Sequence, residues 1–139
     1  MSKTLLHRLF GLGRIPPRNA AILQAEEMIL IDEGIGGSIT LKHFKAPGKR
    51  HSWRRNWFTG SIVLTRKTFA AFTWTKPLVF VPLDDGRLKK LEFKFEPDDT
   101  LLMSYDASLF NADWSGSVEL RFRSDQALLF LEHLKRHSA

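Results

Sequence analysis

The 139-residue chain contains no cysteine. This excludes a disulfide scaffold, a thiolate zinc site, an iron–sulfur cluster and a cysteine nucleophile, and it is compatible with a reducing cytoplasm. No apolar run approaches the ~20 residues that a membrane-spanning helix needs. The first apolar stretch is interrupted by His7-Arg8 and followed by no small-residue cleavage site, so it does not read as a secretory signal. Internal repeats, low-complexity tracts and interior linkers are also missing. With 43% hydrophobic and 26% charged residues the composition is that of a globular protein, which excludes wholesale disorder, and the length suits one domain.

The most informative absence is of negative charge. Between Glu33 and Asp84 the chain has no acidic residue, yet it carries Lys42, Lys45, Lys49, Arg50, Arg54, Arg55, Arg66, Lys67 and Lys76. The net charge of +6 is therefore an average of +9 over residues 1–83 and −3 over residues 84–139. The densest piece runs from Lys42 to Trp57. A concentrated patch of one sign recruits anionic partners such as phosphorylated head groups, anionic bilayers, nucleic acid or acidic protein segments.

Periodicity supplies the fold class. Residues 1–17 read as an amphipathic extension, with Leu5, Leu6, Leu9, Phe10 and Leu12 on one side of a helical wheel and Lys3, His7, Arg8 and Arg14 on the other. Such a segment suits an interfacial helix, with Leu5, Leu9 and Phe10 making the contact, or one docked on the protein. A second short helix is expected from Pro16-Pro17 to Glu27. The domain proper then spans residues 18–139. From residue 38 the period changes to two, with expected strands at 38–44, 52–58, 61–65, 68–74, 78–83, 91–96, 100–105 and 117–123. Val118, Leu120 and Phe122 alternate with Glu119, Arg121 and Arg123, the pattern of an antiparallel strand with one buried and one wet face. A terminal helix follows, capped by Ser124 and carrying an apolar stripe of Ala127, Phe130, Leu131 and Leu134. About seven short strands and one helix that must bury its stripe give a mainly β (α+β) class: a bent antiparallel barrel capped by a C-terminal helix.

Catalytic patterns are thin. Among His7, His43, His51, His133 and His137 the one i,i+4 pair is His133/His137, with no third ligand nearby in sequence. Asp84-Asp85 and Asp98-Asp99 sit in turns, where aspartate is favoured for local backbone bonding. Gly34-Ile-Gly-Gly37 lacks the Lys-Ser/Thr of a phosphate-binding loop, and no Gly-x-Ser-x-Gly elbow occurs. The expectation is a non-enzymatic protein without metal or cofactor.

Several stretches together carry a resemblance. Lys42 followed across a Pro-Gly loop by Ser52-Trp-Arg-Arg-Asn-Trp-Phe58 is similar to the basic first hairpin of pleckstrin-homology domains. Gly60-Ser-Ile-Val-Leu-Thr-Arg-Lys-Thr-Phe69 with Val79-Phe-Val-Pro-Leu83 resembles the corresponding strands of bacterial pleckstrin-homology-like and GRAM domains. The likeness covers residues 28–137 and implies a seven-stranded bent sheet closed by the terminal helix. Classical members carry a tryptophan in that helix. Here Phe130 stands in a helix without one, which points to the bacterial type. The resemblance further implies an anionic head-group or phosphate site built from Lys42, Lys49, Arg50, Arg54 and Arg55. Arginine offers bidentate bonds to phosphate and lysine a point charge, and Trp53 beside them suits a membrane interface.

The expected function is a binding or scaffold module contacting an anionic membrane surface or acidic protein partner through this hairpin, in the cytoplasm or peripheral at the membrane. Other readings stay open. One is a protein-interaction domain taking a peptide beside the terminal helix or a sheet edge. Another is single-stranded nucleic-acid binding, with bases stacked on Trp53, Trp57, Phe72 and Trp74. A small barrel enzyme is the last.

Overall fold

The chain builds β1 (Met28–Ala46), β2 (Lys49–Thr65), β3 (Thr68–Thr73), β4 (Pro77–Pro82), β5 (Glu92–Glu96), β6 (Thr100–Asp106) and β7 (Ser115–Arg123), then a helix, α1 (Ala127–Ser138). The computed structural model describes residues 21, 23, 25–73 and 76–138. The N-terminal extension with Leu5, Leu9 and Phe10, most of the second expected helix, and Trp74 lie outside them. The seven strands form one antiparallel sheet in the order β4-β3-β2-β1-β7-β6-β5. The mainly β reading, seven antiparallel strands and one C-terminal helix, therefore holds for the described residues. No helix among the described residues is long and apolar enough to cross a membrane.

The sheet curls into a half-barrel. β3 and β5 are five strands apart in the sheet order. In a flat sheet that separation would be about 24 Å. Yet Phe69 of β3 meets Phe93 of β5 edge-to-face, with ring centroids 5.8 Å apart. Val79 and Val81 of β4, Leu101 and Met103 of β6 and Leu120 and Phe122 of β7 share the same buried core. α1 packs into it through Ala127, Phe130, Leu131 and Leu134, all buried, while Leu128 and Leu129 face solvent. The start of α1 is pinned to β1: the Ser124 hydroxyl donates to Asp32 at 2.6 Å and accepts from the Gln126 N–H at 3.0 Å, and the Gln126 amide donates to the Ile31 carbonyl.

The strands differ from expectation in length. β1 has 19 residues and β2 has 17. The stretches 52–58 and 61–65, which look like two strands divided at Gly60, are one. Straight, β1 would reach about 60 Å, so it must coil. Register shifts at Met28/Leu30 and Glu33/Ile35 accommodate this. Gly60 serves close approach rather than a turn: a Cβ there would lie 2.2 Å from the Phe72 carbonyl oxygen on β3.

One face is also less wet than alternation suggests. Ile31, Val63, Ala70 and Phe72, on the outer side of β1–β3, form a second buried cluster with Leu23. Thr65 donates its hydroxyl hydrogen to the Glu26 carboxylate at 2.5 Å, and Arg66 pairs with Glu27 at 2.8 Å, tying the segment before β1 to the β2–β3 turn. The residues 61–64 and 69–72 read as nearly continuous small and apolar runs, the signature of strands buried on both faces. Phe72 is fully buried and cannot stack a base.

Candidate functional site

The first hairpin turns at Pro47-Gly48, where Gly48 takes a φ of +75°, a conformation that costs glycine little. Beyond the turn the register places Lys45 opposite Arg50 and Ala46 opposite Lys49. Lys45, Lys49 and Arg50 are exposed, and none has a carboxylate partner among the described residues. Like charges directly opposite on adjacent strands repel. An anion at the tip would relieve that repulsion. Beneath the tip, Phe44 stacks on His51 with centroids at 6.3 Å and meets the partly exposed Trp114 edge-on at 5.4 Å.

The adjacent arginines 54 and 55 do not act as one group. Successive side chains on a strand point to opposite faces. Arg55 lies between Trp53 and Trp57, its guanidinium 5.3 Å and 5.8 Å from the two ring centroids, and its Nε donates to the Thr40 hydroxyl at 2.9 Å. Trp53, Arg55 and Trp57 thus form a ladder on the outer face, with Trp53 58% and Trp57 76% exposed. Arg54 points to the other face, opposite Leu41, where its Nε reaches the Asn56 amide oxygen at 3.4 Å. Arg55 is held in place, whereas Arg54 remains open to a ligand.

Lys42, also nominated by the resemblance, is committed elsewhere. Its ammonium pairs with Glu119 at 3.1 Å. Glu119 in turn accepts from Arg121 at 3.1 Å, and Arg121 donates to Glu96 at 2.8 Å. The result is a ladder of alternating sign across β1, β7 and β5 on the outer face. Partial burial opposes ionisation of Glu119, but hydrogen bonds from Lys42 and Arg121 outweigh it and hold its carboxyl below the ordinary glutamate range. Partial burial likewise opposes the charge on Arg121, and the bonds to Glu96 and Glu119 prevail, pushing its pKa up. A depressed carboxyl contributes stability that is complete above its unfolded pKa and is lost as pH falls through the folded value. Glu119→Gln should therefore cost about 1 kcal/mol at neutral pH, allowing for the partly exposed Lys42. The loss should shrink toward pH 3. A wild-type to variant gap independent of pH in urea melts would contradict this.

The remaining candidates serve local structure. The Asp85 carboxylate accepts from the Arg87 side chain at 2.8 Å and caps the short 3-10 turn Gly86–Lys90. Asp106 accepts from the backbone and hydroxyl of Ser108. These bonds hold both carboxyls below the usual range. Asp98 and Asp99 both take positive φ in the β5–β6 turn. Tyr105, packed edge-on against Phe110, is pushed up to about 12 by burial. No group of three or more histidine or carboxylate side chains converges among the described residues.

The hairpin thus offers two linked surfaces. One is a tip of uncompensated cations, Lys45, Lys49 and Arg50, with Arg54 further down β2. The other is an aromatic outer face. Neither a scan against protein-family models nor a search of curated proteins finds a match for the chain. Residue-level reading missed Thr40, Glu119, Arg121 and Glu96 as neighbours of this hairpin. Alternation marks Glu119 and Arg121 as outward, but their partners depend on β1 pairing with β7, a contact across some 80 residues of sequence.

Proposed function

We propose that the protein is a non-enzymatic binding module of the pleckstrin-homology-like kind whose first hairpin contacts an anionic membrane surface. The architecture is consistent with that resemblance: a curled sheet of seven antiparallel strands with one C-terminal helix packed into it. The observation that carries the reading is the pairing of uncompensated cations with exposed indole. Lys45, Lys49 and Arg50 crowd the tip, Arg54 lies behind them, and Trp53 and Trp114 present ring surface nearby. Cations gain about 1 kcal/mol each near an anionic leaflet. Indoles favour the head-group layer, where an apolar ring and a polar N–H are both accommodated. An acidic protein surface would satisfy the cations but has less use for two protruding indoles.

The test is co-sedimentation with vesicles of neutral lipid alone and with added phosphatidylserine, at low and high salt. Binding is expected on the anionic vesicles and should weaken as salt screens the charges. Equal partitioning to both vesicle types would remove the reading.

A further inference from the structure

A second feature of the outer face lies away from the tip and is independent of the membrane reading. Where β1 crosses between β2 and β7, a groove of about 400 Å³ opens, lined by Gly36, Ser38, Trp57, Glu96, Arg121 and Arg123 among others. Its size falls at the small end of the ~300–1,000 Å³ range of small-molecule sites.

Four observations show what would fill it. First, Gly36 forms part of the lining, and a Cβ built there meets no atom within 4 Å. Its φ is not positive either. Neither packing nor a positive φ calls for glycine there, and the missing side chain leaves open space at that part of the lining. Second, Trp57, the most exposed large hydrophobic residue described, contributes a flat apolar wall. Third, Ser38 is only 1% exposed and lines the groove, so its hydroxyl lies at the wall within reach of a ligand's polar edge. Fourth, the charges are unequal. Arg121 is held by both Glu96 and Glu119, but Arg123 is exposed and has no carboxylate partner among the described residues. The groove therefore has one unused cation. Glu96, fixed by Arg121 through one oxygen, keeps its other oxygen to accept a hydrogen bond.

An uncharged sugar would leave Arg123 unused, and a bare phosphate would leave the Trp57 ring uncovered. A flat ring carrying an anionic group answers both. We propose that this groove binds a mononucleotide, with the base against Trp57, the phosphate on Arg123, and Glu96 and Ser38 bonding to the base or ribose. Base–indole stacking is worth roughly 1–3 kcal/mol, about 5- to 150-fold in affinity. Hydrogen bonds from an arginine to phosphate are charge-assisted and strong.

The experiment is calorimetric titration of the full chain with AMP, adenosine, glucose 6-phosphate and an oligo-dT. AMP is expected to bind saturably at one site, with adenosine and glucose 6-phosphate each at least roughly tenfold weaker. Gly36→Val, which places a branched side chain in the open space at the lining, and Trp57→Ala should each weaken AMP by about tenfold or more. Arg123→Glu, at an exposed position without a carboxylate partner among the described residues, serves the same purpose should the Gly36 variant not fold. Lys49→Glu with Arg50→Glu should leave AMP binding unchanged while altering vesicle binding, so the two readings fail separately. No saturable AMP binding overturns the assignment. So does glucose 6-phosphate binding as tightly as AMP, or oligo-dT binding far more tightly with a steep salt slope, or AMP binding that is indifferent to Gly36→Val and Arg123→Glu.

Discussion

Charge reversal at the hairpin tip, Lys49→Glu together with Arg50→Glu, is expected to abolish association with phosphatidylserine vesicles while leaving the fold intact. Both side chains are exposed and have no carboxylate partner among the described residues. Removing two favourable cations costs about 2 kcal/mol, roughly thirtyfold in affinity. The two new carboxylates repel the surface and deepen the loss. Thermal stability should be unchanged or slightly raised, because the variant turns the like-charge pair Lys45–Arg50 into an opposite pair. Reversal of Arg55 would be a poorer test. Its guanidinium lies between two indoles and bonds to Thr40, so Arg55→Glu also disturbs the ladder. Arg54→Glu, on the opposite face, should produce a smaller loss than the tip pair. Vesicle binding that survives the tip reversal would show that the anionic contact lies elsewhere.

Gly60→Ala is expected to be strongly destabilising for a single added methyl, by about 3 kcal/mol. The added carbon would lie 2.2 Å from the Phe72 carbonyl oxygen and 2.9 Å from the Phe58 ring. The ring can shift, but the carbonyl belongs to the β2–β3 ladder, where Gly60 pairs with Thr73. Relief requires separating two central strands, which would also open the buried cluster around Val63 and Phe72. Against a domain stability of ~5–15 kcal/mol this is a large fraction, and the melting temperature should fall by roughly 10 °C. Gly36→Ala is the matched control. Its Cβ meets nothing, so its stability should stay within about 0.5 kcal/mol of wild type or rise slightly through a less flexible unfolded chain. Equal melting temperatures for the two variants would show that the β2–β3 contact at Gly60 is not as close as described.

Much of the candidate surface is legible in the sequence. The absence of acid between Glu33 and Asp84 is a property of composition, and it lies on β1–β4. Trp53 and Arg55 are two apart and had to share a face once the stretch was a strand. By the same rule Arg54 and Arg55 had to separate, a consequence that treating them as one basic cluster overlooks. Other features were not legible. That Lys42 is neutralised by Glu119 depends on β7 returning to pair with β1. That Phe72 is core rather than a stacking surface depends on what covers the outer face of β3.

By itself, the sequence determines the elements and their faces: alternating strands, the stripe of α1, the Pro47-Gly48 turn, and a basic stretch with no acid to neutralise it. Those are local properties, set by side-chain period and backbone preference within a few residues. Only the tertiary structure decides which cations stay free, that Gly60 is a point of close approach and not a turn, and that the lining from Gly36 to Arg123 encloses a groove. Each of these depends on the closing of β1 onto β7 and the curl that brings Phe69 to Phe93. Pairings between segments so distant along the chain are set by how the whole sheet buries its apolar face, which no local window of sequence contains.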